Sequence, residues 1–114
     1  MIRHSDVVWV DFAHPEGSTP GKVRPAVVWQ EDWLLASAIA TVLVVPLTSN
    51  TALEVFPGNV LIPAEVSGLD KDSVAVVSQL GPVSREYLDP YPAGHVPAYL
   101  SARIAAGVRL VTGT

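Results

Sequence analysis

Apolar positions in this chain fall into short runs, strictly alternating or continuously apolar, separated by glycine, proline and small polar residues; only beyond Pro97 does the period become helical. Residues 6–12 (DVVWVDF) read as a first strand and 24–30 as a second. Residues 31–40 form a polar-to-apolar connection with room for one helical turn. Residues 41–47 read as a third strand, too apolar to have a solvated face. A short fourth strand over 59–63 belongs at a sheet edge, because Pro63 removes a ladder donor. Residues 68–72 make a turn, 73–80 a fifth strand, and a short extended piece follows Gly81-Pro82 near Val83. From Pro97 onward Leu100, Ile104, Val108 and Val111 recur every three or four residues, with Pro97 suited to the first helical turn. Gly107 costs about 1 kcal/mol relative to alanine inside a helix, which predicts a frayed last turn. Close-spaced strands followed by one helix predict a mainly β, α+β fold, a small barrel or half-barrel capped by a C-terminal helix. With 114 residues and no internal repeat or linker, the chain is expected to be one domain over 1–114.

Residues 33–53 carry no charge and invite a transmembrane reading. Pro46 interrupts that run, polar residues close it, and the β-branched residues 41–45 suit a buried strand, so no membrane span is expected. The N-terminus lacks the apolar core of a signal peptide, and the absence of cysteine rules out disulfides and thiolate metal sites. Both features agree with a cytoplasmic location. The net charge of −4 argues against a generally basic nucleic-acid binder, so an anionic ligand would need a local patch.

Most catalytic patterns are missing. His4, His14 and His95 are isolated, without metal-ligand spacing, so no metal or other cofactor is expected. His14 lies in a loop where it could touch a ligand, although a solvated histidine is the simpler reading. No Gly-x-Ser-x-Gly occurs, and Gly21-Lys22 lacks the rest of a phosphate-binding loop. Asp70 and Asp72 read as solvated turn residues. Trp9, Trp29 and Trp33 could stack nucleic-acid bases, but core filling is the expectation for Trp9.

The segment 16–25 (EGSTPGKVRP) carries more chemistry. It has the glycines, prolines and small hydroxyls of a ligand-contacting loop, and Pro25 holds Arg24 extended at its exit. A permanently charged planar fork there suits a phosphate or carboxylate. The plainer alternative is an arginine that ends a loop and pairs with Glu16 or Asp11.

Taken in order, residues 6–12, the loop 17–22 and the run 24–28 (RPAVV) resemble the opening of MazF/PemK/Kid-type toxins. Residues 41–50 (TVLVVPLTSN) and 68–79 are similar to the family's second and third signatures, and the last helix to its C-terminal helix. This resemblance implies an SH3-like barrel, a homodimer, and a metal-independent, sequence-selective endoribonuclease acting on single-stranded RNA. It also implies a cognate MazE-like antitoxin whose disordered tail folds over the RNA site. The family's arginine falls on Arg24 and its threonine or serine on Thr48. Ser18, Thr19, Lys22, Ser49, Asn50 and Gln79 follow as candidates for RNA contacts, with Gln79 equally suited to satisfying a barrel-end backbone group.

In this chemistry the substrate's own 2′-hydroxyl attacks phosphorus, leaving a 2′,3′-cyclic phosphate and a 5′-hydroxyl. The protein orients that hydroxyl and stabilises the phosphorane. Arg24 is assigned phosphorane stabilisation and proton donation to the leaving oxygen, and Thr48 a supporting hydrogen bond; a guanidinium is a poor free base. The chain departs from the family at Gly81 and Tyr87, where relatives carry basic residues (Arg85 lies nearby), and at Ser5, where they carry glycine. Fewer cations predict weaker RNA affinity and a shallower salt dependence. Two other classes compete. One is a non-catalytic or gyrase-poisoning module like the fold-related CcdB toxins, disfavoured because residues 110–114 contain no tryptophan. The other is an unrelated SH3-like interaction domain.

Overall fold

A computed structural model describes residues 1–12 and 23–114. Seven strands and three helices follow in the order β1 (Asp6–Asp11), β2 (Val23–Val28), α1 (Asp32–Leu35), β3 (Thr41–Thr48), β4 (Val60–Ile62), α2 (Ala64–Ser67), β5 (Ser73–Ala75), β6 (Gly81–Ser84), β7 (Gly94–His95) and α3 (Ala98–Thr112). The strands form one curled antiparallel sheet in the order β4-β5-β3-β2-β1-β7, with β6 also paired to β3. The result is the expected half-barrel with a C-terminal helix, and β4 lies at an edge as Pro63 predicts.

Both faces of the central strands are covered, which explains their near-continuous apolar sequence. Val7, Val27, Val45 and Leu47 face a core completed by Leu100 and Ile104 of α3. Their neighbours Val8, Ala26, Val28 and Val44 face a second core with Ile2, Leu35 and Leu88. Two expectations for β3 and α3 change here. Leu43 is exposed at the uncovered start of β3, so that strand is doubly buried only from Val44 onward. The last turn of α3 does not fray: the helix runs to Thr112, and Gly113 closes it at φ 82° with its N–H donated to the Arg109 carbonyl.

The expected strand over 73–80 stops at Ala75, and the short extended piece expected near Val83 is β6. β5 pairs with the end of β3 (Leu47 with Ala75, Thr48 with Val74), and β6 with its start (Val44 with Gly81 through Thr41 with Ser84). Between them lies Pro46, whose carbonyl accepts the Val76 N–H at 3.0 Å. Proline has no N–H to return on that edge, so the ladder cannot continue. The chain swings out through a 3-10 turn at Val77–Gln79 and rejoins β3 at Gly81. The Asn59 side chain holds the detour, accepting the Val77 N–H at 3.2 Å and donating to the Leu53 carbonyl at 2.9 Å.

Candidate functional site

Arg24 and Thr48 meet through strand register. β2 and β3 pair Val28 with Val44, Val27 with Val45 and Ala26 with Pro46. Continued by two residues, that antiparallel register sets Arg24 across from Thr48. Both residues line a cleft of about 590 Å3 and a smaller cavity of about 130 Å3. Together with Leu47 they form the ridge between the two spaces. Arg24 is exposed and Thr48 half-buried. Among the described residues the Arg24 guanidinium makes no hydrogen bond or ion pair, and its five donors form a planar fork suited to an anion. The alternative pairing with Glu16 lies outside the described residues, as do Ser18, Thr19, Lys22 and His14.

The remaining expected contacts divide. Ser49 lines the larger cleft beside Thr48. Gln79 lines the smaller cavity with Phe12 and Val76, delivered there by the detour that Pro46 forces. Asn50 also serves the backbone. Its side-chain oxygen accepts the Ala52 N–H at 3.3 Å and caps the 3-10 turn Thr51–Val55. The Asn50 N–H in turn donates to Thr48 Oγ1 at 3.2 Å, so this turn orients the Thr48 hydroxyl.

One aromatic and two charged residues of the larger cleft lie outside the contacts expected from sequence. Trp9 is 38% exposed and lines it, which corrects the expectation of core filling. Trp29 packs instead beside the His4 ring (centroids 4.5 Å apart) and Trp33 stands exposed on α1, so the three tryptophans form no common platform. Asp70 and Lys71 form the facing wall. Asp72, their neighbour, is exposed as expected and also accepts the Ala64 N–H at 2.8 Å, fastening the start of α2. Lys71 therefore gives the cleft a cation despite the neutral residues at Gly81 and Tyr87. Arg85 does not: its guanidinium donates to the carbonyls of Ile39 at 2.6 Å and Leu35 at 2.7 Å, with longer bonds to Leu34 and Ser37. It serves the connection between α1 and β3.

Among the described residues no group of three or more histidine, cysteine or acidic side chains could hold a metal ion, and no helix is long and apolar enough to cross a membrane. The cleft offers two cations, hydroxyls, an amide nearby and an aromatic side chain, a set suited to a phosphodiester and its bases.

A family model of PemK-like, MazF-like toxins of type II toxin–antitoxin systems matches residues 3–112. Endoribonuclease MazF6 of Mycobacterium tuberculosis is 40% identical over 111 residues, spanning 97% of this chain and 96% of the relative. Endoribonuclease MazF9 of the same organism is 34% identical over 114 residues, spanning 96% and 95%. Among solved structures, a MazE–MazF complex from Deinococcus radiodurans superposes with a TM-score of 0.81 at 20% identity, over 99% of this chain and 96% of that one. The Mycobacterium tuberculosis toxin MazF-mt6 gives a TM-score of 0.75 at 17% identity, over 93% and 95%. These last two likenesses are of fold.

Proposed function

The chain belongs to the PemK-like, MazF-like family of toxins from type II toxin–antitoxin systems, and from that premise we propose that residues 1–114 act as one toxin domain, a metal-independent endoribonuclease that cleaves single-stranded RNA in the cytoplasm. The observation that carries this reading is that Arg24, without a partner among the described residues, and Thr48 line the same open cleft from neighbouring strands.

In the proposed reaction the 2′-oxygen forms a bond to the adjacent phosphorus as the bond from phosphorus to the 5′-oxygen breaks. The 2′ proton passes to water, and Arg24 protonates the leaving oxygen and is reprotonated from solvent. Arg24 also donates to the phosphorane oxygens, and Thr48, held by the Asn50 N–H, supplies a further hydrogen bond. Ser49, Gln79 and Lys71 contact the strand on either side, with Ser18, Thr19 and Lys22 contributing from the preceding loop. A homodimer provides the full RNA path, and a cognate antitoxin occupies the cleft in the inhibited state.

The test is incubation of the purified protein with a long single-stranded RNA in EDTA. Discrete fragments with 5′-hydroxyl ends are expected. Arg24→Ala should lower the rate by at least the roughly 10²–10³ typical of one electrostatic donor. RNA left intact at high protein excess overturns the catalytic reading. Cleavage largely retained in Arg24→Lys excludes a bidentate guanidinium role.

A further inference from the structure

We propose that Trp9 is a base-stacking residue of this cleft, and that it positions the nucleotide adjoining the scissile phosphate; the inference rests on the endoribonuclease reading above. Its first support is a break in the burial pattern of β1. Val7, Val8 and Val10 are fully buried, yet the largest side chain of the strand is 38% exposed between them. Leaving an indole in water forgoes apolar burial worth about 25 cal/mol per Å2. Val7, which shares its face of the strand, is fully covered, so the cover on that face ends at Trp9.

The second support is what surrounds the ring. Trp9 lies directly across from Pro25, whose fixed φ makes a rigid neighbour, and Arg24 precedes that proline. The indole and the guanidinium thus line the same cleft from adjacent strand positions. Among the described residues no other aromatic ring packs against Trp9.

The facing wall is also fixed. Gly68, at φ 80°, closes α2 so tightly that a Cβ there would lie 2.1 Å from the Ala93 carbonyl oxygen. The Ala93 N–H donates to the Val7 carbonyl at 2.8 Å, two residues from Trp9. Both walls of the slot are therefore anchored to β1. A flat group between an indole and a polar turn carrying Asp70 and Lys71 is the arrangement that a stacked, edge-read base requires.

The test compares Trp9→Phe, Trp9→Leu and Trp9→Ala for cleavage of a long single-stranded RNA, with 5′-hydroxyl ends mapped by sequencing. Leucine keeps bulk and removes the π-face, which separates stacking from packing. Trp9→Leu and Trp9→Ala should raise KM roughly 5- to 100-fold with kcat little changed, and relax base preference at one position beside the cut. Trp9→Phe should stay within a few-fold of the parent. Parental KM and cut sites in Trp9→Leu, or a loss confined to kcat and to thermal stability, overturns the proposal. If the parent protein leaves RNA intact, the catalytic reading fails, and anisotropy with a fluorescein-labelled, 2′-O-methylated random 20-mer decides for Trp9 alone. Weaker binding by Trp9→Leu than by Trp9→Phe sustains stacking; equal binding, or no binding by any form, ends it.

Discussion

Gly107 in α3 packs backbone against backbone with Gly58: a Cβ on Gly107 would lie 2.1 Å from the Gly58 carbonyl oxygen. Helix propensity favours alanine over glycine by about 1 kcal/mol, so an isolated helix would gain from Gly107→Ala. Here the obstructing atom is a main-chain oxygen, and Gly58 is itself held at φ 85° against Val77. The helix would have to move off β4 and disturb the core under Leu100 and Ile104. We expect Gly107→Ala to lower stability by about 1–3 kcal/mol, read from the urea midpoint. A stabilised variant would show that the contact yields easily.

Ser5 is the one non-glycine residue among those described with a positive φ, 73°, and it is 3% exposed. Its N–H donates to the Val28 carbonyl, its carbonyl accepts the Val96 N–H, and its hydroxyl pairs with that of Ser101 in α3. The left-handed conformation costs a side chain about 1–2 kcal/mol, and the hydroxyl pair returns about 1 kcal/mol. Ser5→Gly should therefore be close to neutral. Both variants lose the hydroxyl pair, but only Ser5→Ala keeps the strain, so it should cost about 1–2 kcal/mol more than Ser5→Gly in chemical denaturation. Equal stability of the two variants would refute this balance.

Arg85 illustrates a cation committed to structure. Four carbonyls between Leu34 and Ile39 accept its guanidinium, and its own N–H donates to the Ala40 carbonyl. Charge-assisted bonds of this kind contribute about 1.5–3 kcal/mol, so Arg85→Ala should destabilise by that order and accelerate amide exchange across residues 34–40. The salt dependence of RNA binding should not move. A change in that slope would return Arg85 to the RNA path.

The central strands and α3 are legible in the sequence because alternation and helical spacing are local properties, and a single proline places β4 at its edge. The early end of β5 at Ala75 and the turn that follows it are not, because their cause is the missing donor of Pro46 on a different strand. Ser5 is visible as a departure from glycine, but the φ that makes glycine natural there and the Ser101 hydroxyl that supports serine emerge only in the fold. Arg24 and Thr48 lie on separate strands, so their pairing comes from family resemblance, and the β2–β3 register supplies its physical basis. Trp9 departs from its expected burial because strand chemistry alone does not reveal whether anything covers a ring. The capping bond of Asn50 is likewise invisible in sequence, because an amide in a polar turn looks the same whether or not it caps a turn.

Lys71 supplies the last prediction. Loss of basic residues at Gly81 and Tyr87 points to a shallow salt dependence, yet Lys71 and Arg24 share one cleft. A cation that neutralises one phosphate of a single strand contributes about 0.7 to the slope of log affinity against log salt. Lys71→Ala should lower the magnitude of that slope by about 0.7 while leaving the positions of the cuts unchanged, because a phosphate contact carries no base information. The experiment is a salt titration of binding to a 2′-O-methylated single strand, paired with end mapping on cleavable RNA. An unchanged slope places Lys71 off the phosphate path, and altered cut positions make it a reader of bases.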